Sequence, residues 1–353
     1  MTNGILNEKN NKIQNIEALR GSAIVLVLIA HSFFFPPLFE LQHFFDFGRG
    51  VDVFFIISGF LMGSTYLSKI DLYHFDLLKA YNFYARRFLR LFPAMLFWSA
   101  IILIMSKYWI NIGIFSNISN VFRFVSSNLV FMGNFFNNNH QNALGYWWSL
   151  GLEGQFYLAL PIIIYLSGPW FWKIVVSICL ILSLSAIWTF DYFWMFRIHG
   201  LFIGLVMWRI SQENVFLIIK DKIGSLSSLH FNIIALFLIF SGILIPTSIT
   251  SAQPFVSLVV SIIFGMVLLL ALCNENKLFG ALNFVFVFFG KISYSLYLSH
   301  LLVFHIGLYI INRYGLVWME NHKVSLLFIS IEVAYLSYKF IENLINKENY
   351  IIR

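Results

Sequence analysis

Arg20 and His31 are the first residues whose types and spacing could do chemistry. They lie in the run EALRGSAIVLVLIAHSFFFPPL at 17–38. On a helix turning about 100° per residue, eleven steps leave them about 20° apart in azimuth and roughly 16 Å apart along the axis. One face therefore carries a guanidinium and an imidazole through apolar sequence, where such groups are costly and normally face a protein interior. An imidazole of near-neutral pKa can take a proton from a hydroxyl, and a carboxylate can orient it. His31 reads as such a base, as a transport or proton-path group, or as a satisfied structural histidine.

Four further stretches carry candidate groups. In GRGVDVFFIISGF at 48–60, Asp52 stands near a helix start, where it could cap the free N–H groups or serve the site. In YARRFLRLFP at 84–93, Arg86 and Arg90 lie one turn apart beside Arg87. That row either anchors a membrane boundary or binds the phosphates of a nucleotide-bearing donor, which suit the guanidinium fork. In WWSLGLEGQFY at 147–157, Glu153 is equally open to structural pairing and to function, as a carboxylate that could orient His31. GKISYSLYLSH at 290–300 ends in His300, which could line the same cavity or bond a neighbouring helix. Glu40 and Asp46 read as loop solvation. The sequence contains no GxxxxGK[ST] phosphate loop, HExxH pair or cysteine cluster, so no metal is expected.

The elements that must position these groups are membrane spans. The 353 residues are 59% hydrophobic and 11% charged, against about a quarter charged in soluble domains. Long unbroken apolar runs exclude a β-barrel. A formal charge of +7 is dispersed between those runs, which argues for a topology signal and against nucleic acid. Cys179 and Cys273 offer no disulfide framework. An all-α polytopic protein of about ten spans is expected, at 19–38, 51–68, 89–110, 147–167, 170–189, 194–210, 229–247, 254–273, 293–312 and 324–344. The stretch 279–292 is apolar enough to lie in the interface or re-enter, and 121–136 suits an amphipathic surface element. Most of the 23 Lys and Arg fall on one side of this layout, which places both termini in the cytoplasm. Residues 1–15 and 346–353 then form polar tails around a membrane domain at 16–345. Helical rise puts His31, Glu153 and Glu332 at similar depths in the outer half, and His300 about 10 to 13 Å from the inner surface.

These motifs, in this order, resemble those of the membrane acyltransferase 3 family, the O-acyltransferases that decorate bacterial polysaccharides. Arg20 to His31 is similar to the family's Arg-x10-His motif. GVDVFFIISGFLMG at 50–63, ARRFLRLFP at 85–93, WWSLGLEGQFYLALP at 147–161 and GKISYSLYLSH at 290–300 resemble its next four signatures. SYKFIE at 337–342 resembles its terminal Tyr-x-x-x-Glu-x-Pro pattern, although Asn343-Leu344 stands in place of the proline neighbourhood, which weakens any role carried over to Glu342. The resemblance implies a ten-helix bundle in the bacterial cytoplasmic (inner) membrane, without the C-terminal SGNH hydrolase-like domain of some relatives. It implies transfer of an acyl group, usually acetyl, from coenzyme A to a hydroxyl of a surface or lipid-linked saccharide. His31 would be the essential histidine and Arg20 its inner-leaflet companion. Asp52, Arg86, Arg87, Arg90, Glu153 and His300 would be the other functional positions.

The expected mechanism docks the donor's phosphates at Arg86, Arg87 and Arg90, with Arg20 toward the thioester. His31 deprotonates the acceptor, oriented by Glu153 or Asp52. Acyl-coenzyme A, the saccharide and membrane lipids are the expected partners, with no tightly bound cofactor. The rivals are a transporter or flippase for a surface-glycan precursor, which would favour inverted repeats the sequence lacks, and a sensory or structural bundle, which leaves the polar seam unexplained.

Overall fold

The computed structural model of the chain describes residues 2–33, 35–136, 144–184, 197–244, 254–273, 277–315 and 324–344. The principal helices, in chain order, are α1 (Thr2–Ala30), α2 (Gly50–Thr65), α3 (Leu77–Ile104), α4 (Ile118–Leu129), α5 (Trp148–Ser167) and α6 (Phe171–Leu184). They continue with α7 (His199–Ser211), α8 (Asn214–Gly224), α9 (Ser228–Ile243), α10 (Pro254–Cys273), α11 (Asn283–Tyr314) and α12 (Ser325–Ser337). The chain is an all-α, multi-pass membrane protein, consistent with the bacterial cytoplasmic membrane.

The expectation of ten spans is corrected. Among the described residues four helical stretches are long and apolar enough to cross a bilayer: Phe47–Lys69, Leu77–Ile104, Gly145–Leu182 and Gly280–Tyr314. A fifth is reached only if α7 and α8, bent by 85° at their junction, form one broken span. For several expected spans the reason lies in a helix break that hydropathy does not register. Helix α1 ends at Ala30, where the Gln42 amide caps the carbonyls of Ile29 (3.0 Å) and Ala30 (3.1 Å), and Pro36 opens a separate short helix, Pro36–Glu40. The fourth expected span and the start of the fifth lie in the single stretch Gly145–Leu182, joined where Gly168 adopts φ 48°, and the end of the fifth, 185–189, lies outside the described residues. Helix α9 has 16 residues, about 24 Å of rise, short of the roughly 30 Å hydrocarbon core. Helix α12 has 13 residues before a π-helical turn at Tyr338–Glu342. Depths counted on the ten-span layout fall with it, and Glu332 lies exposed on α12. Most of the stretch 279–292 is the start of the 32-residue α11. The tail 346–353 lies outside the described residues.

The chain divides into two compact units, Met1–Phe75 with Ile163–Ser293, and Asp76–Ile162 with Tyr294–Arg353. In the first, α2 and α7 run side by side in the same direction, with Gly200 against Phe55, Gly204 against Ile56 and Trp208 against Gly63. Their backbones touch at one crossing. A Cβ on Gly59 would sit 1.9 Å from the Leu201 carbonyl oxygen, and one on Gly204 would sit 2.2 Å from that of Ile56. A second crossing joins α1 to the start of α11, where a Cβ on Gly290 would sit 2.0 Å from the Glu17 carbonyl oxygen and one on Gly21 1.8 Å from that of Phe286. Small residues at such points let membrane helices approach closely.

In the second unit, α5 is seated on the segment before it. Phe131 takes φ 58°, and the Gln155 amide donates to its carbonyl (2.7 Å) and to Asn134 Oδ1 (2.7 Å). Tyr146 and Tyr297 clasp α5 and α11 reciprocally: Tyr146 Oη donates to the Leu298 carbonyl (2.7 Å) and Tyr297 Oη to that of Tyr146 (2.5 Å).

Candidate active site

His31 follows α1 directly, in the turn that ends it, and is half-buried. Its backbone N–H still reaches the Val27 carbonyl at 3.2 Å. Its ring Nδ1 lies 3.0 Å from the same oxygen. A carbonyl can only accept, so Nδ1 is the donor, which leaves Nε2 as the nitrogen that can take a proton when the ring is neutral. His31 thus sits at a helix end, where sequence reasoning had placed it deep inside a span.

Arg20, one face of α1 earlier, is part-buried and held from two sides. Its Nη1 donates to Glu17 (3.0 and 3.3 Å to the two oxygens) and its Nη2 to Ser293 Oγ (3.1 Å). Ser293 follows the Gly290 crossing, so that close approach brings the serine within reach of the guanidinium. The pairing with Glu17, three residues upstream, was available from helical spacing.

Asp52 lies in the first turn of α2 and is 1% exposed. Arg197 grips it with both ends of the fork, Nε to Oδ1 at 3.0 Å and Nη2 to Oδ2. Arg49 Nη1 reaches Oδ2 at 3.3 Å, and Arg49 Nε pairs with Asp46 at 2.9 Å. Two carboxylates and two guanidiniums therefore balance in the interior, beside the positive ends of the codirectional α2 and α7. Burial alone would lower the Arg197 pKa; Asp52 and Asp46 outweigh it and hold the guanidinium above its ordinary value. Asp46, read from sequence as solvated, is buried. Arg49 stands three residues from each aspartate, a legible spacing. Arg197 is 145 residues from Asp52 and carries no local signal.

In the second unit the arginine row splits. Arg86 is exposed on α3. Arg87 turns inward, its guanidinium carbon 5.6 Å from the centre of the Tyr157 ring and 5.8 Å from that of Phe83. Arg90 is half-buried and within electrostatic range of Arg87, Tyr157 and Tyr294. Glu153, half-buried on α5, accepts a hydrogen bond from Tyr157 one turn later. Arg87, Arg90 and Glu153 are thus gathered around Tyr157, which sequence reasoning did not single out.

The same unit holds Glu342. It accepts from Ser295, whose hydroxyl also bonds Ser337 (2.9 Å), and Trp98 Nε1 donates to Ser337 (3.2 Å). Two motif regions, 290–300 and 337–342, meet there with Trp98 of α3, and the π-helical turn that ends at Glu342 is of the kind found often at functional sites. His300 is fully buried. Its Nδ1 donates to the carbonyls of Leu296 and Tyr297, each at 2.9 Å, and Tyr146 lies edge-on at 4.8 Å between ring centres. His31 and Asp52 belong to the first unit, Glu153 and His300 to the second. Among the described residues no three His, Cys, Asp or Glu side chains gather as metal ligands.

Comparison with known proteins bears on this geometry. A family model described as an acyltransferase domain matches residues 13–335. A Staphylococcus aureus (strain COL) protein named "Putative O-acetyltransferase" is 28% identical over 380 aligned residues, 97% of this chain and 58% of that protein. The O-acetyltransferase OatA of Staphylococcus aureus (strain NCTC 8325 / PS 47) is 29% identical over 162 residues, 43% of this chain and 24% of OatA. An uncharacterized protein of Haemophilus influenzae is 29% identical over 126 residues, 33% of this chain and 49% of that protein. The chain spans 58% of the length of the curated relatives that match most of it. No solved structure matches it.

Proposed function

Because the chain belongs to the acyltransferase-domain family, we propose that it moves an acyl group, acetyl in the simplest case, from coenzyme A to a hydroxyl of a surface or lipid-linked saccharide. The observation that carries the reading is the His31 ring, whose Nδ1–H is donated to Val27, so that the neutral ring would accept a proton at Nε2. In this reading Nε2 takes the acceptor's hydroxyl proton as that oxygen attacks the acyl carbonyl. The new C–O ester bond forms, the C–S thioester bond breaks, and the imidazolium returns the proton to the departing thiolate. Net charge is conserved and no acyl-enzyme is required.

The remaining groups take supporting parts. Arg86, Arg87 and Arg90 supply positive charge for the donor's phosphates, with the exposed Arg86 the first to meet them. Arg20, oriented by Glu17 and Ser293, steadies negative charge on the donor. Asp52, committed to Arg49 and Arg197, fixes the start of α2 and acts on the reaction through position. Glu153 with Tyr157, and the deeply held His300, shape the second unit's polar interior.

Membranes containing the protein, supplied with acetyl-labelled coenzyme A, test the activity. The expected result is label in saccharide, released by mild alkali as an O-ester would be. Label absent from saccharide in membranes that hold folded protein would overturn the reading.

A further inference from the structure

Helix α8 leaves α7 at a bend of 85°. The break is at Glu213, whose backbone is extended (ψ 147°) and whose carboxylate pairs with Arg209 at 2.7 Å. Helix α7 runs alongside α2, which belongs to the bilayer-crossing stretch Phe47–Lys69. Their register, from Gly200 against Phe55 to Trp208 against Gly63, gives the two helices nearly one direction. A helix turned 85° from that direction lies close to the plane of the membrane.

The bend also comes at the membrane's edge. Trp208 lies against Gly63 near the end of the crossing stretch, and the break follows shortly after it. Trp172 of α6 stacks on Trp208 with ring centres 6.0 Å apart, and Lys173 Nζ lies 4.2 Å from the centre of the Trp170 ring. Tryptophan gathered with lysine in this way marks a membrane–water boundary.

On α8 the side chains fall into three sectors at about 100° per residue. Phe216, buried, and Ile223, half-buried, share one side, and the helix rests on α10, where Gly224 lies against Cys273. Asn214, Lys220 and Asp221 occupy a polar sector, in which Leu217 is the one large apolar residue. Val215, Ile218 and Ile219 form the third sector and are 66%, 60% and 45% exposed. Lys222 stands beside that strip, with a stem long enough to carry its ammonium to the headgroups. A helix in the plane of a bilayer and at the flank of a bundle meets protein, water and lipid on three sides, and α8 is divided in that way.

We propose that α8 anchors the first unit in the bilayer surface. Val215, Ile218 and Ile219 lie in the boundary between headgroups and acyl chains, and Asp221 lies in water. Lipid is the occupant of the strip because the strip opens at the level where the crossing stretch ends and the tryptophans gather. The pair α7–α8 is then not one broken span. The proposal is independent of the acyl-transfer reading.

Single nitroxide labels on Val215→Cys, Ile218→Cys and Asp221→Cys, in the full chain in phosphatidylcholine vesicles, test it. The buried Cys179 and Cys273 are replaced by alanine, or left in place should that background not fold. Collision with oxygen, which concentrates in lipid, is compared with collision with a water-soluble nickel chelate. The labels at 215 and 218 are expected at one depth, about 5–10 Å below the phosphates, and the label at 221 in water. Equal nickel access at 218 and 221 would overturn the proposal by placing the strip in water. Shielding of 215 and 218 from both reagents would overturn it in favour of a protein partner, such as a second copy of the chain. A depth that changes steadily from 215 to 221, by about 1.5 Å per residue, would overturn it in favour of a span. Should Ile218→Cys not fold, Ile219→Cys carries the same comparison.

Discussion

At the residue scale, the four-charge group around Asp52 makes the sharpest demand on stability. Asp52 and Arg49 are each 1% exposed, so neither can be rescued by water when its partner is removed. Asp52→Ala leaves two buried guanidiniums facing a cavity and should cost about 3–5 kcal/mol. Unfolding of the purified protein in detergent measures that loss. The paired change Asp52→Ala with Arg197→Ala should cost less than the sum of the single changes, because the orphaned charge goes as well. Additive losses would mean that the bidentate contact contributes nothing. Sequence carried part of this group. Arg49 is one helical turn from both Asp46 and Asp52, a spacing that pairs side chains on any helix. Arg197 comes from the far end of a separate element, and nothing in its own neighbourhood marks it. His31 was legible by residue type and by its distance from Arg20, whereas its tautomer depends on the Val27 carbonyl and so on where the helix stops.

At the element scale, helix continuity decided what hydropathy left open. Apolar runs were visible throughout, but their breaks depend on single polar contacts. The Gln42 side chain caps the end of α1, and the 85° bend between α7 and α8 falls at the polar residues Ser211, Gln212 and Glu213. Windowed hydropathy measures composition and not the connectedness of backbone hydrogen bonds, so apolar runs and bilayer-crossing helices need not coincide. The glycines are a second illustration. Gly59 lies within the motif at 50–63, yet nothing local marks Gly204 as its partner, because the contact joins distant segments. Gly204→Val should separate α2 from α7 and carry Arg197 away from Asp52, with lost folded yield and a lowered melting temperature. Gly145→Ala, where an added Cβ meets no described atom within 4 Å, should leave both unchanged. Equal behaviour of the two variants in size-exclusion and melting experiments would contradict the crossing.

At the scale of the whole molecule, two units each hold part of the polar machinery, and the chain belongs to one family over residues 13–335. The order of motifs along the sequence pointed to that family before any coordinate, because each motif combines residue types that membrane helices rarely carry together. What the order could not give was the local pairing: Arg20 to Ser293, Glu342 to Ser295, and Arg87 to Tyr157, each joining segments far apart in the chain. The central claim is that His31 is the base for acyl transfer. Its most direct test is the rate at which purified protein transfers labelled acetyl from coenzyme A to a saccharide acceptor, compared between wild type and His31→Ala at equal folded amounts. Loss of a positioned base predicts a fall of about 10²–10⁴-fold with folding retained. Transfer by His31→Ala at the wild-type rate would contradict the account.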